Sequence, residues 1–160
     1  MFAGVRQVAT TPVGIYTRRR LTTFRLAQLS QRSHREIEVQ IFGLKKSAET
    51  RKAIRFFSER RIRAHFVDLT ERMIAEGELQ RFIQRFGIEG VLDRSGKRFE
   101  QLGLRHATMS DGRWVDKLLL EPGLLRLPLV RKLGQPSGVS VGDAESDWKN
   151  WINKDTNKPQ

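Results

Sequence analysis

Cysteine is absent from this 160-residue chain, and that absence excludes disulfides, thiolate nucleophiles and thiolate-held zinc together. Histidine is scarce. His34, His65 and His106 stand far apart with no HxH or HExxH pairing, so each reads as a surface or boundary imidazole and no metal site is expected. Long apolar runs are missing as well: a membrane-spanning helix needs roughly 20 consecutive apolar residues. The longest apolar stretch, residues 123–130, is interrupted by Arg126 and Pro128, and no membrane partner is expected. Acidic side chains are wholly missing from residues 1–35, which carry seven arginines (Arg6, Arg18, Arg19, Arg20, Arg25, Arg32 and Arg35).

What is present suits one small α/β domain. Hydrophobic residues make up 38% of the chain and include nine Phe and three Trp, enough to fill a single core. The net charge of +12 is unevenly spread: beyond residue 35 there are 23 basic and 18 acidic side chains, a net of +5. The body is only mildly basic.

Residues 1–35 lack a sustained helical or strand period. Such a segment buries too little apolar surface to offset its ordering entropy, and reads as a disordered Arg-rich arm. Its composition also matches a mitochondrial transit peptide, and upstream sequence included by a start-site error is a third reading. A cytoplasmic location is expected, or a mitochondrial one if the segment is a transit peptide. Nucleic-acid binding through the arm is the weaker reading, because only Tyr16 and Phe24 interleave aromatics with its arginines.

Order is expected from residue 36. Glu36-Ile37-Glu38-Val39-Gln40-Ile41 alternates polar and apolar, the mark of a half-buried strand ending at Phe42-Gly43. Ser47 is a candidate N-cap for a helix over about 48–60 that turns Ala53, Phe56 and Phe57 inward and closes at Arg60-Arg61. A second strand is expected over Ile62–Leu69. Leu79, Phe82, Ile83 and Phe86 then mark the apolar face of a helix stopped by Gly87. Another short helix is read over Trp114–Leu120, ended by Pro122. Strands at Leu127–Arg131 and Gly138–Gly142 flank a Gly/Pro turn, and a last helix from Asp143 or Ser146 carries Trp148, Trp151 and Ile152. A domain over 36–153 followed by a polar tail over 154–160 completes the chain. The order βαβα…ββα predicts a right-handed βαβ unit followed by an antiparallel hairpin, a thioredoxin-like layout with a four-stranded mixed sheet flanked by helices.

Several segments then resemble the arsenate reductase (ArsC)/Spx family of that fold. Residues 41–53, IFGLKKSAETRKA, are similar to its first strand and active-site loop, YGxxxCxxxRKA. Residues 65–69 resemble its second strand, and residues 94–104, ending FEQLGL, its R…(Y/F)xxLGL block. Residues 121–130, EPGLLRLPLV, are close to HPxLLxRPxx, and residues 139–142 match the hairpin that follows. The blocks occur in the family's order from Glu36 to about Ile152.

The departures from the pattern decide the chemistry that the resemblance implies. Ser47 stands at the position of the nucleophilic cysteine and Thr50 at that of the second cysteine of a CxxC. Leu127 replaces an oxyanion-holding arginine; Arg94 matches another, and Pro128 a proline that is cis in the fold. A serine hydroxyl needs a positioned base, and the surrounding residues offer lysines but no His or Asp. No catalytic residue is therefore assigned, no cofactor is implied, and Ser47 reads first as a helix cap. Lys45, Lys46, Ser47, Arg51 and Arg94 remain candidates for holding phosphate or sulfate weakly, without reacting with it. The resulting expectation is a non-redox binding or regulatory module on a degenerate arsenate-reductase scaffold, with RNA polymerase as a partner by analogy with the Spx branch. The alternatives are an arsenate reductase-like oxidoreductase by family, inactive in fact, or an oxyanion-binding protein using the old loop.

Overall fold

The computed structural model describes residues 37–156, so the readings made for residues 1–35 lie outside the described residues. Among the described residues, four strands, β1 (Glu38–Gly43), β2 (Arg63–Asp68), β3 (Leu129–Lys132) and β4 (Gly138–Val141), form one sheet in the order β2-β1-β3-β4. β1 pairs parallel with β2 and antiparallel with β3, which pairs antiparallel with β4. This is the mixed, thioredoxin-like sheet that the sequence predicts. The described helices are α1 (Ala48–Glu59), α2 (Glu76–Val91), α3 (Lys97–Gln101), α4 (Asp111–Leu120) and α5 (Glu145–Thr156), with 3₁₀ turns at Leu104–His106 and Pro122–Leu124.

Successive residues of a strand point to opposite faces, and β1 uses this to serve two cores. Val39 and Ile41 are buried with Ala53, Phe56 and Phe57 of α1 and Trp148 of α5. Phe42 points the other way, into a larger core with Leu79 and Phe82 of α2 and Trp114, Val115 and Leu118 of α4. The strand expected to be half-buried is thus an inner strand of the sheet, covered on both faces. Its charged and amide residues Glu38 and Gln40 meet partners across the sheet. Glu38 accepts from Arg63 and pairs with His65, and Gln40 accepts from Arg131 at 2.6 Å.

Helix boundaries follow local chemistry. Arg60 ends α1 by donating to the carbonyl of Phe56 at 2.9 Å while its guanidinium lies 3.8 Å from the Phe56 ring. Gly87, expected to stop α2, only interrupts it, at φ 71°, a conformation open to glycine at little cost. The chain then resumes helical geometry as far as Val91 instead of stopping. Phe86, expected on the inner face of α2, is 38% exposed and immediately precedes the interruption at Gly87. α3 has only five residues, too few to show a period in the sequence. α4 begins at Asp111, three residues ahead of the expected start, and α5 runs to Thr156, past residue 153 where the domain was expected to end.

Candidate functional site

The β1–α1 junction carries most of the candidate residues. Ser47 is the N-cap: its Oγ accepts from the Thr50 amide at 3.2 Å, and its carbonyl accepts from the Arg51 amide at 3.2 Å. The hydroxyl proton goes to Glu49 Oε2 at 3.0 Å. Both functions of the hydroxyl are therefore in use. An exposed, well-solvated carboxylate gives little drive for removing a proton from an alcohol, so this contact does not make a nucleophile.

Thr50 lies fully buried one turn into α1. Its Oγ1 finds no hydrogen-bond partner, and the side chain packs against Gly43 so tightly that a Cβ there would stand 2.5 Å from both branch atoms. Lys45 is already neutralised by acids: its ammonium meets Glu71 at 2.7 Å and Asp68 at 3.1 Å. These two carboxylates raise the Lys45 pKa, Glu71 more strongly than Asp68. Lys46 and Arg51 are exposed, and no described acid pairs with either.

Arg94 is occupied elsewhere. It donates to both carboxylate oxygens of Glu89, at 2.6 and 2.5 Å, and lies 5.6 and 6.0 Å from the ring centroids of Phe99 and Trp114. Glu89 raises its pKa further. None of these partners belongs to the 44–51 loop. Leu127 is half-buried against the larger core and contributes no charge, and the Leu127–Pro128 peptide is cis. Among the described residues no cluster of His, Asp and Glu is placed to hold a metal, and no helix is long and apolar enough to cross a membrane.

Sequence reasoning weighed cations and missed their acids. Asp68 was legible in principle, since the parallel register sets it opposite Gly43 at the mouth of the loop. Glu89 and Glu71 gave no such signal. Glu121, at the position of the histidine in HPxLLxRPxx, takes both guanidinium hydrogen bonds of Arg98 at 2.9 Å.

Asp68 makes the loop's stability depend on pH. Its carboxylate accepts from the Thr70 amide and hydroxyl, and these bonds, then Lys45, hold its pKa below the ordinary aspartate value. A group with a lowered folded pKa stabilises fully above its unfolded value, here about pH 4, and loses that contribution as the pH falls through the folded one. Urea midpoints of the wild type should therefore fall more steeply below about pH 4 than those of Asp68→Asn. Parallel curves would contradict the assignment.

The ArsC family model matches residues 42–151. The chain belongs to the ArsC family. No curated protein sequence matches it. Among solved structures, an arsenate reductase from Vibrio cholerae superposes with a TM-score of 0.60 at 19% identity, over 71% of this chain and 97% of the other. An ArsC-family related protein from Bacteroides fragilis gives 0.59 at 20% identity, covering 71% and 97%. An arsenate reductase (ArsC) related protein from Brucella melitensis gives 0.53 at 23% identity, covering 72% and 94%. At these identities the superpositions establish the shared fold.

Proposed function

We propose that this ArsC-family chain is a non-redox binding or regulatory module rather than an arsenate reductase. The observation that carries the reading is Ser47: the residue at the family's nucleophile position is an alcohol whose oxygen caps α1. With no cysteine anywhere in the chain, sulfur can neither attack an oxyanion nor pass its product on as a disulfide. The surrounding charges support the same reading. Lys45 and Arg94, two of the candidate anion ligands, are held by carboxylates, and Leu127 stands where relatives place an arginine. A weak oxyanion site would have to rest on Lys46, Arg51 and the first amides of α1 alone. The Spx branch of the family, which acts by docking on RNA polymerase, offers a precedent for a scaffold that works by contact, and a protein partner of that kind fits this chain better than a reaction does.

An arsenate reduction assay with glutaredoxin or thioredoxin as donor tests it. Turnover is expected to equal the no-enzyme blank, and Ser47→Cys alone should not bring efficient turnover, because the charges around the loop remain paired or missing. Turnover by the wild type that disappears in Ser47→Ala would overturn the reading.

A further inference from the structure

The kink at Gly87 has a consequence on the side of the molecule where α2 meets the start of α4. There the surface forms an open cleft of about 660 Å³, within the volume range of sites that take small organic ligands. Its apolar lining comes from Ile83, Ile88, Met109 and the buried Trp114. Its charges come from Glu89, Arg94 and Asp111.

The charges decide what kind of ligand it takes. The two hydrogen bonds between Arg94 and Glu89 neutralise both groups at the rim, and Arg94 is fixed further by lying beside the Phe99 and Trp114 rings. Asp111, also in the lining, has no cation paired with it among the described residues. The N-terminus of α4 adds roughly half a positive charge near Asp111, so the sum over the cavity stays negative. We infer that this cavity binds a small organic cation with a flat apolar body, an arylalkylammonium, its ammonium on Asp111 and its ring against Trp114, Met109 and the two isoleucines. Such a ligand uses both halves of the lining: the ring buries apolar surface, and the ammonium gains the Asp111 carboxylate. A carboxylate of the same shape would meet Asp111 as a like charge. The inference goes beyond the functional proposal above and does not involve the 44–51 loop.

Tryptamine is the probe, titrated into the full ¹⁵N-labelled chain, with indole-3-propionate as the isosteric anion and tetramethylammonium as the charge without the body. Tryptamine should shift the Trp114 indole signal and the amides of residues 87–89 and 107–111, saturating below about 1 mM, a range typical of modest small-ligand affinity. Indole-3-propionate and tetramethylammonium should bind at least about tenfold more weakly. Asp111→Asn, an exposed substitution, should weaken tryptamine about tenfold with the same shift pattern. Glu89→Gln leaves the Arg94 guanidinium without its counter-ion and should narrow or invert the preference for amine over carboxylate. The inference is overturned if tryptamine leaves those signals unmoved, if the propionate binds equally well, or if Asp111→Asn keeps the wild-type affinity. Turnover in the arsenate assay would leave this test untouched, so the two failures can be told apart.

Discussion

Replacing Trp148 by alanine is expected to remove about 4 kcal/mol of folding stability, a large part of the 5–15 kcal/mol typical of a domain. Trp148 has no exposed surface. Its ring lies 5.3 Å from Phe56 and 5.4 Å from Phe57, and so joins α5 to α1 across the smaller core. Truncation leaves a void beside two phenyl rings that the backbone of α1 holds in place. It also strands a polar group, because the indole Nε1 donates to the buried Ser140 Oγ of β4 at 2.8 Å. A buried hydroxyl that loses its partner costs about 1–3 kcal/mol. Trp148→Phe separates the two effects: it restores most of the ring contact but not the hydrogen bond. Added to Trp148→Phe, the substitution Ser140→Ala should therefore be neutral or stabilising, whereas in the wild type it should destabilise. Urea denaturation of the wild type, the two single variants and the double variant measures the coupling. A loss below about 1 kcal/mol for Trp148→Ala would show that α5 is peripheral to the fold.

That contact also marks where sequence reading gives out. The spacing of Ala53, Phe56 and Phe57 identifies the inner face of α1, and Trp148 and Trp151 identify that of α5, since each periodicity is local. Nothing local says that the two faces meet, or that Ser140 lies under the indole. The βαβ unit and the hairpin were legible because alternation and the Gly/Pro turn are short-range signals. Ser47 as a cap was legible for the same reason. The pairing of Lys45 with Asp68 and Glu71 was not, because it spans more than twenty residues and depends on where β2 ends. The cavity lies beside a kink at Gly87, where the sequence marks a helix end and gives no sign that the helix resumes.

Gly43→Ala should cost about 3 kcal/mol, at the upper end of typical overpacking penalties, although it adds one methyl group to a backbone that needs no left-handed conformation. The new Cβ would stand 2.5 Å from Thr50 Cγ2, 2.5 Å from Thr50 Oγ1 and 3.1 Å from Thr50 Cβ. Rotation about χ1 gives no escape, because turning one branch away brings the other atom or the helix backbone into the same space, and β-branched side chains in helices have few rotamers. Either β1 or the start of α1 must move. β1 is held on both sides, and Gly43 itself accepts from the Leu69 amide at 2.9 Å. Thr50→Ala removes both offending atoms, together with a buried hydroxyl that has no hydrogen-bond partner. On its own it should change stability little. Combined with Gly43→Ala it should recover about 2 kcal/mol, the size of coupling expected for side chains in direct contact. Urea midpoints of the two single variants and the double variant give the coupling directly; a tolerated Gly43→Ala, or strict additivity, would mean the loop is looser than its geometry. The same packing bears on chemistry. A cysteine restored at position 50, where the family resemblance places the second thiol of a CxxC, would sit at a site with no exposed surface against Gly43. Its sulfur would need the junction to open before meeting a partner from solution, so a strong coupling between Gly43 and Thr50 would add a further barrier to thiol chemistry at this junction.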